Sequence, residues 1–475
     1  MSNNLRVRGA PSPSGTLHCG NAKSFLFNWL FSKKYNAEFL LRIEDTDQAR
    51  VVDGGAEKIL EDLKWLGLTP TMGYGTNNKP AGVYTQMERL PIYKKYAEEL
   101  IANGKAYLCY CTEEELNKQR EEAIAKNPKN PWKYPGTCRN ITKQLNKNYV
   151  VRFKAPTEGA IEFDDIVFGK RSIPNKENFD FVIFRQNGIP LFNFANAVDD
   201  GIIDYITHII RGADHLKNLP AQLMLYEALG IDRAKYCHLP MLLNSNGGKL
   251  SKRDGAVSVA EFRQLGFSPN AILNYLVRFG WGWKSQEVFS IDEMIEKFSL
   301  EAVGRNDGKY DFKKFSVINY EHLKSSTLTP DDMYAKHLHP FIAELGIDVS
   351  HEHLASLTNL VRTRSKNFRE AAHELTPVLQ QNISIDQSAI EKILTPEAKT
   401  KLSAFNAFLQ SVNDWTETNL RAATNDWLTK QNLTIKDIGQ PCRISLTGRT
   451  QSPELFQVMG VLGKETVLNR IKAQL

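Results

Sequence analysis

Eighteen consecutive apolar residues occur nowhere in this chain, so no membrane-spanning helix is expected. The N-terminal stretch MSNNLRVRGAPSPSG lacks the apolar core of a signal peptide. Cysteine is sparse and scattered: Cys19, Cys109, Cys111, Cys138, Cys237 and Cys442 do not form the even, regular spacing of a disulfide framework. Glycine (30) and proline (20) are too few for a fibrous or low-complexity chain of 475 residues, and no internal repeat is visible. Neither a G-x-x-x-x-G-K-[ST] phosphate loop nor a G-x-G-x-x-G fingerprint occurs. Excess charge is small, at +6, which permits a polyanionic partner without requiring one. These absences leave a reduced, cytoplasmic globular protein as the expectation. Hydrophobic residues at 42% and charged residues at 24% agree with it. At roughly 100–200 residues per domain, the length predicts two to four domains.

The N-terminal stretch carries alternating strand and helix signals. Residues 5–10 alternate as a strand, and 20–35 read as a helix with an apolar face through Phe25, Leu26, Trp29 and Leu30. Residues 37–43 read as a buried strand, and helices are expected at 55–66 and 90–103. This order predicts a parallel α/β unit. Residues 105–200 mix short strands with turns, the signature of an inserted α+β subdomain. Alternation returns at 204–243, and from Val259 onward the pattern is helical.

Two segments carry chemistry. Pro11-Ser12-Pro13-Ser14-Gly15-Thr16-Leu17-His18-Cys19-Gly20-Asn21 joins a strand to a helix, where free N–H groups and the positive dipole end would face an anion. His18 and Asn21 add side-chain donors one turn apart. Gly247-Gly248-Lys249-Leu250-Ser251-Lys252-Arg253 is a glycine-flanked basic loop able to close on phosphates. Taken singly, the two segments read better as an ordinary strand-to-helix turn and a solvated basic loop.

Together, the two segments resemble the paired signatures of class I aminoacyl-tRNA synthetases. LHCGN stands in place of His-Ile-Gly-His, and KLSKR in place of Lys-Met-Ser-Lys-Ser. The text around them resembles the bacterial type of glutamyl-tRNA synthetase along essentially the whole chain: APSPSGTLHCGNAKSFLFNWLF (10–31), FLLRIEDTD (39–47), IIRGADHLKN (209–218), HLPMLLNSNGGKLSKRDG (238–255), DFKKFSVINYEHL (311–323), QPCRISLTGR (440–449) and SPELFQVMGVLGKE (452–465). The resemblance implies a Rossmann-type catalytic domain in two halves, 1–104 and 201–258. An α+β insertion, 105–200, would receive the tRNA acceptor end. A stem-contact helical subdomain, 259–325, and an all-α anticodon-binding domain, 326–475, would follow. It implies ATP-dependent joining of glutamate to tRNA(Glu), with magnesium sharing the phosphate charge, by a monomer.

By the same resemblance, His18, Gly20, Asn21, Lys249, Ser251, Lys252 and Arg253 would hold ATP. Of these, His18, Asn21, Lys249, Ser251 and Lys252 would serve catalysis. Arg8, Ala10, Ser12, Glu44, Phe192, Asn196, Arg211 and Asp214 would hold glutamate. Glu44 is the natural partner for the ammonium, and Arg211, assisted by Arg8, for the side-chain carboxylate. On residues alone, Arg8 and Glu44 fit ordinary strand-end ion pairing better. The family often has Tyr at Phe192 and Glu at Asp214. Cys19, in place of Ile, reads as a small apolar filler.

Cys109-Tyr110-Cys111 and Tyr134 to Cys138 have a spacing that fits either three reduced thiols or a tetrahedral zinc site. The resemblance implies zinc held by Cys109, Cys111, Tyr134 and Cys138. The common Cys-x-His ending is absent, because Arg139 and Asn140 follow Cys138. Arg364 stands where the family carries an arginine near the third anticodon base, and a solvated surface arginine fits the same position. Two alternatives stay open: glutamylation that extends to, or prefers, tRNA(Gln), and a non-catalytic tRNA-binding paralogue.

Overall fold

The computed structural model describes residues 5–127, 132–141, 145–248, 250, 257–385 and 387–475. The chain divides into two compact units, 1–261 with 273–311 and 262–272 with 312–475. The stretch expected as one stem-contact subdomain, 259–325, is thus shared between them.

The first unit begins with strand β1 (Arg6–Gly9), helix α1 (Cys19–Tyr35), β2 (Glu38–Leu41), α2 (Gly55–Leu66) and β3 (Met72–Gly73). β1 pairs with β2, and β2 with β3, all parallel. Helix α1 is buried over nearly its whole circumference from Phe25 to Ser32, more than the single apolar face expected from the sequence. Phe25 packs edge-on against Phe39 of β2, and Phe27 against Phe298. Burying each such side chain contributes roughly 1.5–3 kcal/mol. The helix stops at Asn36, whose φ of 50° is left-handed, and Lys33 and Lys34 complement its negative end.

Helix α3 (Leu90–Ala102) leads to β4 (Ala106–Cys109), α4 (Glu113–Lys126), β5 (Val150–Phe153), the hairpin β6 (Ala160–Asp165) and β7 (Gly169–Pro174), and β8 (Val182–Phe184). β4, β5 and β8 form an antiparallel sheet. The β6–β7 hairpin does not join it, although it falls within the expected insertion: β6 pairs in parallel with β10 (Lys235–Leu239). Helix α4 went unread in the sequence, although Thr112 and Glu115 form a capping box at its start.

The chain then runs through α5 (Phe192–Val198) and a π-helical turn, Asp199–Ile203. Next come β9 (His208–Gly212), a 3₁₀ segment (Ala213–Asn218), α6 (Leu219–Leu229) and β10, which is parallel to β9. The Thr207 N–H donates to the Arg6 carbonyl at 3.0 Å and sets β9 beside β1. Two sheets, β3-β2-β1 and β9-β10-β6-β7, thus lie edge to edge in a Rossmann-type order, with the sequence order of the strands reversing between β1 and β9.

The second unit is helical throughout its described residues after 312. One core gathers Tyr334, Leu338, Leu354, Phe368 and Leu375. A second gathers Leu402, Phe405, Leu420, Ile438, Cys442 and Met459 from helices Pro396–Gln410, Glu417–Lys430, Ile435–Thr447 and Leu455–Lys472. Buried Arg470 ties the two together by donating to the carbonyls of Pro377 and Leu446.

Candidate active site

In an open α/β sheet, ligands bind outside the carboxyl ends of the strands where the order reverses. A cavity of about 510 Å³ lies there. The end of β1 supplies Arg8, Ala10 and Ser12. The start of α1 supplies His18, Gly20, Asn21 and Lys23, and the segment after β2 supplies Glu44. From the far side come Phe192 and Asn196 of α5, Arg211 of β9, and Asp214 and His215. All eight residues expected to hold glutamate, and His18, Gly20 and Asn21 of the ATP set, therefore line one cavity. Phe192 and Asp214, the two departures from the family pattern, are among them. Leu250 lines it too. Its neighbours Lys249, Ser251, Lys252 and Arg253 lie outside the described residues.

The cavity floor is a buried ion cluster. Arg42, with no exposed surface, reaches Glu44 at 3.0 Å, Asp200 and Asp204 at 2.8 Å, and Asp199 at 3.2 Å. Arg89 pairs with Asp199 and Asp204, both at 2.8 Å, and Arg8 pairs with Asp200 at 3.1 Å. Burial alone would lower the Arg42 pKa, but the carboxylates, Asp200 foremost, raise it well above the usual value. Burial works against the Asp200 carboxylate as well, yet Arg8 and Arg42 hold its pKa below normal. Asp199 and Glu44 go the other way: burial raises both despite Arg42.

Counting charges shows what this cluster offers. Arg8, Arg42 and Arg89 face four carboxylates, one in excess. Glu44 borders the cavity; Arg42 and Asn196 (2.7 Å) both donate to its Oε1, which leaves Oε2 to the cavity. The complementary positive charge is Arg211. Its Nε donates to His238 Nε2 at 3.1 Å and its Nη2 to Gln222 Oε1 at 2.8 Å, and both partners are uncharged. Desolvation lowers its pKa to about 10. One cavity thus holds a guanidinium with no ion-pair partner and, apart from it, a carboxylate that shares Arg42 with three others.

The start of α1 has its own arrangement. His18 is the N-cap residue, and its Nδ1 accepts from the Gly20 N–H at 3.2 Å. Burial lowers its pKa, so the ring is neutral with its proton on Nε2, a donor. Lys23 is buried, donates to the Pro240 carbonyl, and has its pKa lowered by burial to about 8.

Apart from this cavity, the thiols of Cys109, Cys111 and Cys138 lie within 4.8 Å of one another. The Tyr134 hydroxyl is 3.4 Å from Cys109 Sγ and 3.6 Å from Cys111 Sγ. Burial opposes ionisation of Cys109, but Tyr134 and Arg152 outweigh it and lower its pKa, whereas burial pushes Cys111 up to about 12. A soft donor set this compact, with a phenolic oxygen beside it, suits one tetrahedral ion.

A helix start, a switch-point cavity and a charge-separated floor together suit a nucleotide-using enzyme with a zwitterionic substrate. Residues 4–316 match the family described as tRNA synthetases class I (E and Q), catalytic domain, and residues 333–475 match the anticodon binding domain. This chain belongs to that class I tRNA synthetase family. Its relatives include the glutamate–tRNA ligase of Geobacter sulfurreducens, 39% identical over 472 residues, with 98% of each chain covered. That of Geotalea uraniireducens is 39% identical over 473 residues, covering 99% of this chain and 98% of the other. Among solved structures, the glutamate tRNA ligase of Elizabethkingia meningosepticum in complex with its amino acid superposes with a TM-score of 0.84 at 30% identity, covering 99% of both chains.

Several residues of the site escaped the sequence reading: Lys23, Arg42, Asp200, His215, Gln222 and His238. Their signal was a polar residue inside an apolar run, as in FLLRIEDTD or NFANAVDDGII.

Proposed function

We propose that this enzyme activates L-glutamate with ATP and transfers it to the terminal adenosine 2′-hydroxyl of tRNA(Glu). The observation that carries this reading is the separation of Glu44 from Arg211 within one cavity. Glu44 takes the substrate ammonium, and Arg211 takes the side-chain carboxylate through its free N–H groups. Glutamine is disfavoured, because its amide would set N–H donors against guanidinium donors.

In the first step, the α-carboxylate attacks the α-phosphorus of ATP and pyrophosphate leaves. The carboxylate is already ionised, so positioning and charge stabilisation do the catalytic work. The neutral His18 donates from Nε2, the α1 N-terminus adds its dipole, and Asn21 borders the same space. Lys249, Ser251, Lys252 and Arg253 complete the phosphate site. Magnesium supplies further charge neutralisation on the phosphates. In the second step, the 2′-hydroxyl attacks the mixed anhydride and AMP leaves.

Cys109, Cys111 and Cys138 would hold a structural zinc, with the Tyr134 hydroxyl as the fourth donor. This supports the tie between β4 and the loop that carries Cys138. Arg364, paired with Glu374 at 3.4 Å and 37% exposed, contacts an anticodon base in this reading. The enzyme acts as a cytoplasmic monomer. No helix among the described residues is long and apolar enough to cross a membrane.

Charging separate tRNA(Glu) and tRNA(Gln) transcripts with labelled glutamate, ATP and magnesium tests the reading. Glutamate on tRNA(Glu) alone is expected. Glutamate on both, or on tRNA(Gln) alone, would keep the chemistry and assign the product to an amidation route. Charging of neither by folded protein would refute the reading.

A further inference from the structure

His238 sits in β10 with no exposed surface. Its Nδ1 lies 2.7 Å from Asp165 Oδ2, and its Nε2 lies 3.1 Å from Arg211 Nε. Asp165, at the end of β6, is itself held. It accepts from the backbone N–H groups of Val167 at 3.0 Å, Phe168 at 2.9 Å and His238 at 3.2 Å. Arg211 Nε always carries its hydrogen, so it can only donate. A single tautomer satisfies both sides of the ring: Nδ1–H donates to Asp165, and Nε2 accepts from Arg211. Gln222 Oε1 fixes one N–H of Nη2 from a third direction. Asp165, Gln222 and His238 are all buried, at 1%, 4% and 0% exposure.

We propose that Asp165 and His238 are positioning residues that turn the Nη1–Nη2 edge of Arg211 toward the cavity and so set the selection of a carboxylate over an amide. The inference rests on the reading of glutamate as substrate. Its physical content is directional. A guanidinium is planar, and pinning Nε and one N–H of Nη2 fixes both its plane and its rotation. The N–H groups left over are those of Nη1 and the second of Nη2, a parallel pair that matches the two oxygens of one carboxylate. The partners behind it are uncharged, so the positive charge is not neutralised before substrate arrives. Asp165 acts one bond further back: it holds the imidazole proton on the side away from Arg211, as carboxylates do wherever a histidine tautomer matters.

The test uses the full-length enzyme with tRNA(Glu), comparing wild type with His238→Phe and His238→Gln. KM is measured for glutamate and for ATP, and glutamine serves as competitor. Losing a hydrogen bond to a charged group predicts a rise in glutamate KM of about 10- to 100-fold in His238→Phe, with ATP KM within about twofold of wild type. Glutamine should compete better against that variant. His238→Gln, whose Oε1 again accepts from Arg211, should recover most of the loss. An unchanged glutamate KM would overturn the inference, and so would equal rises for both substrates without recovery in His238→Gln. Should His238→Phe fail to fold, Asp165→Asn replaces it. The amide keeps the shape but favours the tautomer that turns Nε2–H against Arg211, and the same selective rise in glutamate KM is expected. A wild-type enzyme that charges no glutamate refutes the substrate reading itself, before any variant is compared.

Discussion

Replacing Arg42 by methionine should destabilise the first unit in a way that acid partly repairs. Methionine fills much of the same space, so the loss would come from charge and not from a void. In the wild type, Arg42 lies within 3.2 Å of Glu44, Asp199, Asp200 and Asp204, and none of these groups is appreciably solvated. Its removal leaves Arg8 and Arg89 to face four buried carboxylates. Breaking a buried ion pair from one side costs about 3–5 kcal/mol, because the stranded charge keeps its desolvation penalty. The pH dependence follows from linkage. In the wild type, Asp200 has a lowered pKa, a contribution to stability present above its unfolded value and lost as pH falls through the folded one. Asp199 and Glu44 have raised pKa values, and their contribution is lost as pH rises through them. Without Arg42 the raised kind dominates, so the folded state binds more protons than the unfolded one and the deficit shrinks as pH falls. Hydrogen exchange read on peptides covering β1 and β2, at pH 7 and pH 5, isolates this unit from the helical one. The reasoning fails if the variant lies within about 1 kcal/mol of wild type, or if the deficit is the same at both pH values.

Three further outcomes are expected. Arg211→Ala should lower kcat/KM for glutamate by about 10²- to 10³-fold while leaving KM for ATP unchanged, since it removes one side of a buried charge pair with substrate; steady-state charging assays decide this. Wild-type protein should carry one zinc per chain by elemental analysis, and Cys138→Ser should lose it together with exchange protection in β4; a wild type free of zinc would remove the metal from the description. Gly448→Ala should lower the stability of the C-terminal helices by more than about 1 kcal/mol in denaturant titration, because φ is 70° there and a Cβ would lie 2.1 Å from the Ser384 carbonyl oxygen.

What could be read from the chain followed the range of its signals. Strand–helix alternation is local, and β1, α1, β2 and α2 were expected close to where they lie. The cavity residues were located through text patterns, and the fold assembles them from β1, α1, α5 and β9. The ion cluster was invisible, because Arg42 meets partners 158 and 162 residues downstream and no periodicity records such a meeting. His238 was hidden for a related reason: in KYCHLPMLL it reads as one polar residue within a strand, and its role depends on Asp165 from the β6–β7 hairpin. The β6–β7 hairpin misled in the opposite way, lying inside the insertion by sequence and in the main sheet by pairing.

The reversal of strand order between β1 and β9 has a consequence for how the molecule is made. Arg8 and its partner Asp200 are 192 residues apart, so at a synthesis rate of about 5–20 residues per second roughly 10–40 s separate their emergence from the ribosome. Throughout that interval β1 is an open edge, and the arginines destined for the floor of the pocket remain hydrated. The N-terminal strands cannot close until the chain has travelled out through the insertion and back, which makes the nascent half-sheet the stage most in need of a chaperone.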